Sequence, residues 1–145
     1  MVDSATQLFY AACNPAHREF YSALMHDWRE AGQPVEIDEH GAFLTVHSVA
    51  QTTDAGTPKL FRLNAGSGIE SVAITIDLAQ WRNWFGEEGV DAFMRTINAI
   101  DGLSTSRRDN CLSILEPGHM SGPMQQALRD VLIGWAYRAN DLFGA

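Results

Sequence analysis

The stretch PVEIDEHGAFLTVHSVAQTTDAGTPKLFRLNAGSGIESVAITID (34–77) decides how the rest of the chain is read. Its apolar residues recur every second position in four runs: PVEIDE (34–39), AFLTVHSVA (42–50), PKLFRLN (58–64) and IESVAITID (69–77). Side chains along a strand point alternately to opposite faces, so this period marks strands with one apolar and one polar face. Val35 and Ile37 oppose Glu36 and Asp38, Leu44 and Val46 oppose Thr45 and His47, and Phe61 and Leu63 flank Arg62. The links EHG, QTTDAGT and AGSG carry the glycines of tight turns. The stretch therefore predicts a four-stranded antiparallel meander covered on one side.

Helix signals lie on both sides of it. Ser4 opens a short leading helix over 4–12, and Asn14 followed by Pro15 is a favoured start for a second. Phe20, Leu24, Trp28 and Ala31 form that helix's apolar stripe, and Gly32 and Pro34 close it. Asp77 caps LAQWRNWF (78–85), which stops at Gly86. A further helix from Glu87 carries Val90, Phe93, Ile97 and Ile100. DGLSTSRRDN (101–110) reads as a loop with strand character towards its end, and CLSIL (111–115) as a fifth strand or a short buried segment. The last helix starts near Ser121 or Gly122, with a stripe of Met124, Leu128, Val131, Leu132, Trp135, Ala139 and Leu142. Gly134 inside it costs roughly 1 kcal/mol against alanine, which points to close packing there. The predicted fold class is α+β, with the sheet packed on one face by an N-terminal helix and C-terminal helices.

At 145 residues the chain is most simply one domain over 1–145, able to bury roughly 70% of its unfolded surface without a disulfide or metal. Ten basic against eighteen acidic residues, a net charge of −8, argue against a protein that grips a phosphate backbone. Nucleic-acid binding would need Arg62, Arg107 and Arg108 gathered into one patch. LFYAAC (8–13) has no preceding Lys or Arg and too short an apolar run for a signal peptide, and no run approaches the ~20 residues of a membrane span. Two cysteines without paired spacing, Cys13 and Cys111, fit a cytoplasmic protein.

The chemistry-bearing motifs are sparse. There is no CxxC, HExxH, GxSxG or phosphate loop, and no cofactor is expected. Alternation places Glu36, Asp38, Thr45, His47 and Arg62 on the sheet face away from the helices, where carboxylates beside an imidazole would serve as acid and base or hold a divalent metal; cross-strand ion pairs on a solvated face account for the same residues. His17 and His26 are expected on the wet side of the first long helix, and Cys111 and His119 form the nearest cysteine–histidine pair.

Four tryptophans in 145 residues is a heavy aromatic load. Trp81, Trp84 and Phe85 share one short helix and are the candidate binding residues, expected on a contact surface; the adjacent pair Trp84 and Phe85 cannot both face inward along one direction. Either one side chain is left for an interface, or two helices pack around the segment and bury both.

The order of helix, strands, helix, strand and final helix, with small size and low pI, resembles acidic bacterial secretion chaperones, and VEIDEHGAFLTV (35–46) is similar in texture to their first hairpin. That resemblance implies a dimer that binds a protein partner. Small acidic immunity or antitoxin proteins match the same description. The expected function is thus a non-catalytic protein-interaction module that meets a protein partner or itself, with a small-ligand or metal-binding enzyme on the sheet's polar face as the alternative.

Overall fold

The computed structural model of the protein describes residues 4–13, 15–38, 41–45, 59–64, 72–115 and 121–143. The elements run α1 (Ser4–Ala12), α2 (Pro15–Glu30), β1 (Val35–Asp38), β2 (Gly41–Thr45), β3 (Lys59–Leu63), β4 (Val72–Asp77), α3 (Leu78–Asn98), β5 (Ser104–Arg108), β6 (Cys111–Leu115) and α4 (Gly122–Phe143). The strands form one antiparallel sheet in the order β1-β2-β3-β4-β6-β5. The α+β class and the meander are as the sequence predicts.

Among the described residues the sheet has six strands rather than four or five. CLSIL is a strand, pairing with β4 on one side, and residues 104–108 of the expected loop form the outermost strand on its other side. STSRR has no apolar face to announce it. A two-residue turn holds it instead, with Asp109 taking a left-handed φ of 56°.

One face of the sheet carries the core. Ala42, Leu44, Phe61, Leu63, Ile74, Ile76, Leu112 and Ile114 are buried and join one hydrophobic cluster with residues of all four helices. α2 contributes Phe20, Tyr21, Leu24, Met25 and Trp28, and α4 contributes Leu128, Leu132, Trp135, Ala136 and Ala139. Glu36, Lys59 and Arg62 on the other strand positions are exposed. Among the described residues no helix is long and apolar enough to cross a membrane.

The β2–β3 ladder contains an irregularity invisible to a strict alternation. Leu44 pairs with Phe61 and Thr45 with Lys59, so Leu60 is an extra residue in β3 and is buried beside Phe61. Two indoles meet the backbone there: Trp28 Nε1–H donates to the Thr45 carbonyl at 2.7 Å and Trp81 Nε1–H to the Leu60 carbonyl at 3.1 Å. Phe61 sits between them, 5.8 Å from Trp28 and 5.5 Å from Trp81 between ring centroids.

Local signals set the helix ends. Asp77 Oδ1 accepts from the Ala79 and Gln80 N–H groups at 3.1 and 3.2 Å, and Ser121 Oγ accepts from the Met124 N–H at 3.3 Å. α3 is two helical segments meeting at Gly86, whose φ of 74° and ψ of 176° no other residue type adopts readily. The break expected at that glycine is present.

Two expectations about helix faces are corrected. His17 is 2% exposed rather than wet, because α1 lies against α2 and adds Phe9 and Cys13 to the cluster around Tyr21. His26 does face solvent, 3.7 Å from Glu30. Gly134 is exposed, with nothing within 4 Å of the position a Cβ would take, so close packing does not account for it. Gly134→Ala is therefore expected to raise stability by about 0.5–1 kcal/mol, a melting-temperature increase of about 2–4 °C by differential scanning calorimetry; an unchanged or lower midpoint would contradict this placement.

Candidate functional site

The break at Gly86 turns the second half of α3 so that it lies alongside the end of α4. Between them runs a groove of about 840 Å³, lined by Trp84, Phe85, Glu88, Gly89, Asp91, Ala92 and Arg95 from α3 and by Trp135, Arg138 and Asp141 from α4. After the break, residues 88, 89, 92 and 95 fall at three- and four-residue spacing, which is one face of the second helical segment. Trp84 and Phe85 are both half-buried, their rings 6.4 Å apart and nearly perpendicular. Phe85 also packs on Trp81 at 4.9 Å and on Trp135 at 5.2 Å. The wall is thus fixed from behind by aromatic packing.

Trp81, expected with Trp84 and Phe85 on a contact surface, lies instead wholly in the core. Its ring touches Phe61, Phe93 and Trp135, and its N–H is committed to the Leu60 carbonyl. It supports the groove from beneath. The adjacent pair beside it follows neither alternative, one side chain out or both buried: the chain breaks directly after Phe85 and both rings are half-buried at the rim.

Gly89 and Ala92 put little side chain into this stretch of the groove. A Cβ added to Gly89 would collide with Phe85 Cβ, so only glycine lets that ring keep its place against Trp135. The charged rim mixes acids at Glu88, Asp91 and Asp141 with Arg95 and Arg138, and the Arg138 guanidinium lies 4.6 Å above the Trp135 ring. A second, mostly apolar groove of about 470 Å³ lies between the opposite ends of the same two helices, between Ile100 and the Met124–Val131 turn of α4. No single-sequence signal marks either groove, since each pairs residues distant in the chain. Trp135 reads from sequence as ordinary stripe, and its other role comes from the gap that Gly89 and Ala92 leave opposite it.

The polar sheet face is less concentrated than alternation suggests. β1, β2 and β3 do pair in order, but the register sets Glu36 opposite Phe43 and Phe43 opposite Arg62. Glu36 and Arg62 are therefore two strand spacings apart, roughly 10 Å, with an aromatic between them. Phe43 is half-buried, and Lys59 Nζ and Arg62 Cζ lie 4.5 and 5.8 Å from its ring. Asp38 pairs with Gly41 at the strand end. Thr45, expected on the open face, is fully buried, and its hydroxyl donates to the Pro34 carbonyl at 3.0 Å. His47 and His119 lie outside the described residues. Among the described residues no three His, Cys, Asp or Glu side chains are gathered closely enough to hold a metal ion.

The cysteines occupy opposite environments. Cys111 is exposed at the start of β6. Cys13 is buried between α1 and α2, and desolvation, only partly offset by the Arg18 charge, raises its pKa from 9.0 to about 11. Burial, with a smaller contribution from Cys13, likewise holds the Tyr21 phenol well above its ordinary range, its hydroxyl donating to the Asn64 carbonyl at 2.7 Å. A thiol that ionises harder in the folded than in the unfolded chain stabilises the fold below the unfolded pKa, and that contribution is lost as pH rises through the folded one. Unfolding free energy is accordingly expected to decline between about pH 9 and about pH 11, less steeply in Cys13→Ala. At neutral pH a thiol reagent should label only Cys111 of the native chain; rapid labelling of both residues would contradict this burial.

No protein-family model, curated protein sequence or solved structure matches the chain.

Proposed function

We propose that the chain is a non-catalytic interaction module that receives an amphipathic helix of a protein partner in the groove between α3 and α4. The observation that carries the reading is the half-buried pair Trp84 and Phe85 at the groove's rim, braced from behind by the buried Trp81 and Trp135. Large aromatic side chains held rigidly at a rim supply contact area at low entropic cost, and tryptophan is enriched among residues that dominate interface energies.

The groove's shape favours a helix over an extended strand. Along the segment after the break, from Glu88 to Arg95, it runs roughly 10 Å at the helical rise, room for about two turns. Gly89 and Ala92 allow a close approach there. Acidic Glu88, Asp91 and Asp141 outnumber Arg95 and Arg138 along the rim, and the whole chain carries −8, so the complementary helix has an apolar face flanked by Lys or Arg. Both cysteines are free, which suits a reducing compartment such as the cytoplasm.

The test uses two synthetic peptides with one apolar helical face in common, one flanked by lysines and one by glutamates, titrated into isotope-labelled protein. The lysine peptide is expected to shift resonances of Gly89, Ala92 and the Trp84 and Trp135 indoles, and the glutamate peptide to bind far more weakly. Trp84→Ala should lower affinity by about 30-fold, the roughly 2 kcal/mol of a dominant interface residue, with little change in melting temperature. Shifts confined to the sheet, or none with either peptide, would overturn the assignment.

A further inference from the structure

The strand order ends on β5, and among the described residues no strand neighbours its outward backbone groups. All five of its residues are exposed. That includes Thr105 and Arg107, although their register partners on β6, Ile114 and Leu112, are buried. The helical layer therefore stops at β6, and β5 stands beyond it with both faces bare. Such an edge is a template for another strand, and natural edges are usually kept short or charged to prevent unwanted pairing.

We propose that β5 pairs antiparallel with β5 of a second copy of this chain, about a two-fold axis through Ser106, joining the two sheets edge to edge. The sequence of the strand selects this register. A two-fold that keeps both helical layers on the same side of the joined sheet requires a residue to face its own copy on the axis. Centring on Ser106 pairs every residue of the strand, Ser104 with Arg108 and Thr105 with Arg107, and sets no arginine opposite another. Moving the axis to Arg107 places two guanidinium groups face to face, which is destabilising. Moving it to Thr105 leaves Arg107 and Arg108 outside the strand-to-strand pairs.

The pairing also gives the bare inner face an apolar neighbour. Leu103 is half-buried at the start of β5, with its N–H bonded to the Ile100 carbonyl at 3.3 Å. The smaller apolar groove is lined by Ile100 and Met124, and Gly102, the residue before Leu103, lies against Met124. In the Ser106-centred register the Arg107 of each copy is diagonal to the other's Leu103 on the helix side, where its aliphatic stem covers apolar surface. The larger aromatic groove is not part of this contact, so the pairing stands or falls independently of the helix-binding reading.

The full chain alone tests it. In a Cys111→Ser background, Ser106→Cys brings two thiols onto the axis, where opposed Cα atoms are about 4.5–5.5 Å apart and within disulfide reach. Mild oxidation should convert most of that variant to a covalent dimer. Ser104→Cys, roughly 14 Å from its counterpart in this register, should remain monomeric. By sedimentation, the unmodified chain should show a concentration-dependent dimer that Ser106→Lys abolishes without moving the melting temperature of the monomer. A chain that stays monomeric at millimolar concentration overturns the proposal. So does a dimer that survives Ser106→Lys, or cross-linking that is equal at both cysteine positions.

Discussion

Two indole N–H groups, from Trp28 and Trp81, hold the backbone carbonyls at the β2–β3 irregularity, and the arrangement of helices on the sheet depends on them. An extra residue in a ladder leaves polar backbone without a partner, and a buried carbonyl left so costs about 1–3 kcal/mol. Each tryptophan satisfies one carbonyl while filling the core on either side of Phe61. The first ties α2 to β2 and the second ties α3 to β3. α4 follows, because Trp135 packs on Trp81 at 5.0 Å and on Phe93 at 5.7 Å. One bend in one strand thus sets where three helices sit, and with them the position of the groove between α3 and α4.

Much of this was legible in the sequence wherever a local rule and the tertiary outcome agree. Period-two runs located β1 to β4, Asp77 capped α3, Gly86 broke it, and the Phe20–Leu24–Trp28 stripe faced the sheet. The features that escaped are those decided by packing between distant segments. Leu60 is apolar at a position alternation gives to the polar face, and only the pairing with β2 reveals it as an extra residue. His17 looks wet until α1 is laid beside it. β5 has no apolar residue at all, and its strand conformation follows from the hairpin with β6. Gly134 shows the reverse error, a packing explanation offered where the surroundings are open.

The site residues divide along the same line. Trp84 and Phe85 were identifiable because two adjacent aromatics on a short helix cannot share one inward direction, yet Trp81, one turn earlier, belongs to the core. The partner wall at Trp135, Arg138 and Asp141 was not identifiable, since it comes from the last helix. Glu36 and Arg62 do share the open face, but the register of β1 on β2 and of β2 on β3 puts Phe43 between them. What sequence reading pictured as a polar cluster is a row across three strands. Among the described residues the core leaves a braced aromatic groove at one end of the α3–α4 seam and, at β5, a strand edge with no further strand beside it.

Because they anchor the helices to the sheet, the two indole bonds are expected to belong to the last part of the molecule to open. Native-state hydrogen exchange followed at the Nε1–H groups of Trp28 and Trp81 measures this directly, because each proton exchanges only when its bond to Thr45 or Leu60 breaks. Exchange of both at the rate of global unfolding, alongside the central amides of β2 and β3, is the predicted result. Exchange of either indole through a low-energy opening, while those strand amides stay protected, would show that the sheet holds its bend without the tryptophans and would contradict the account.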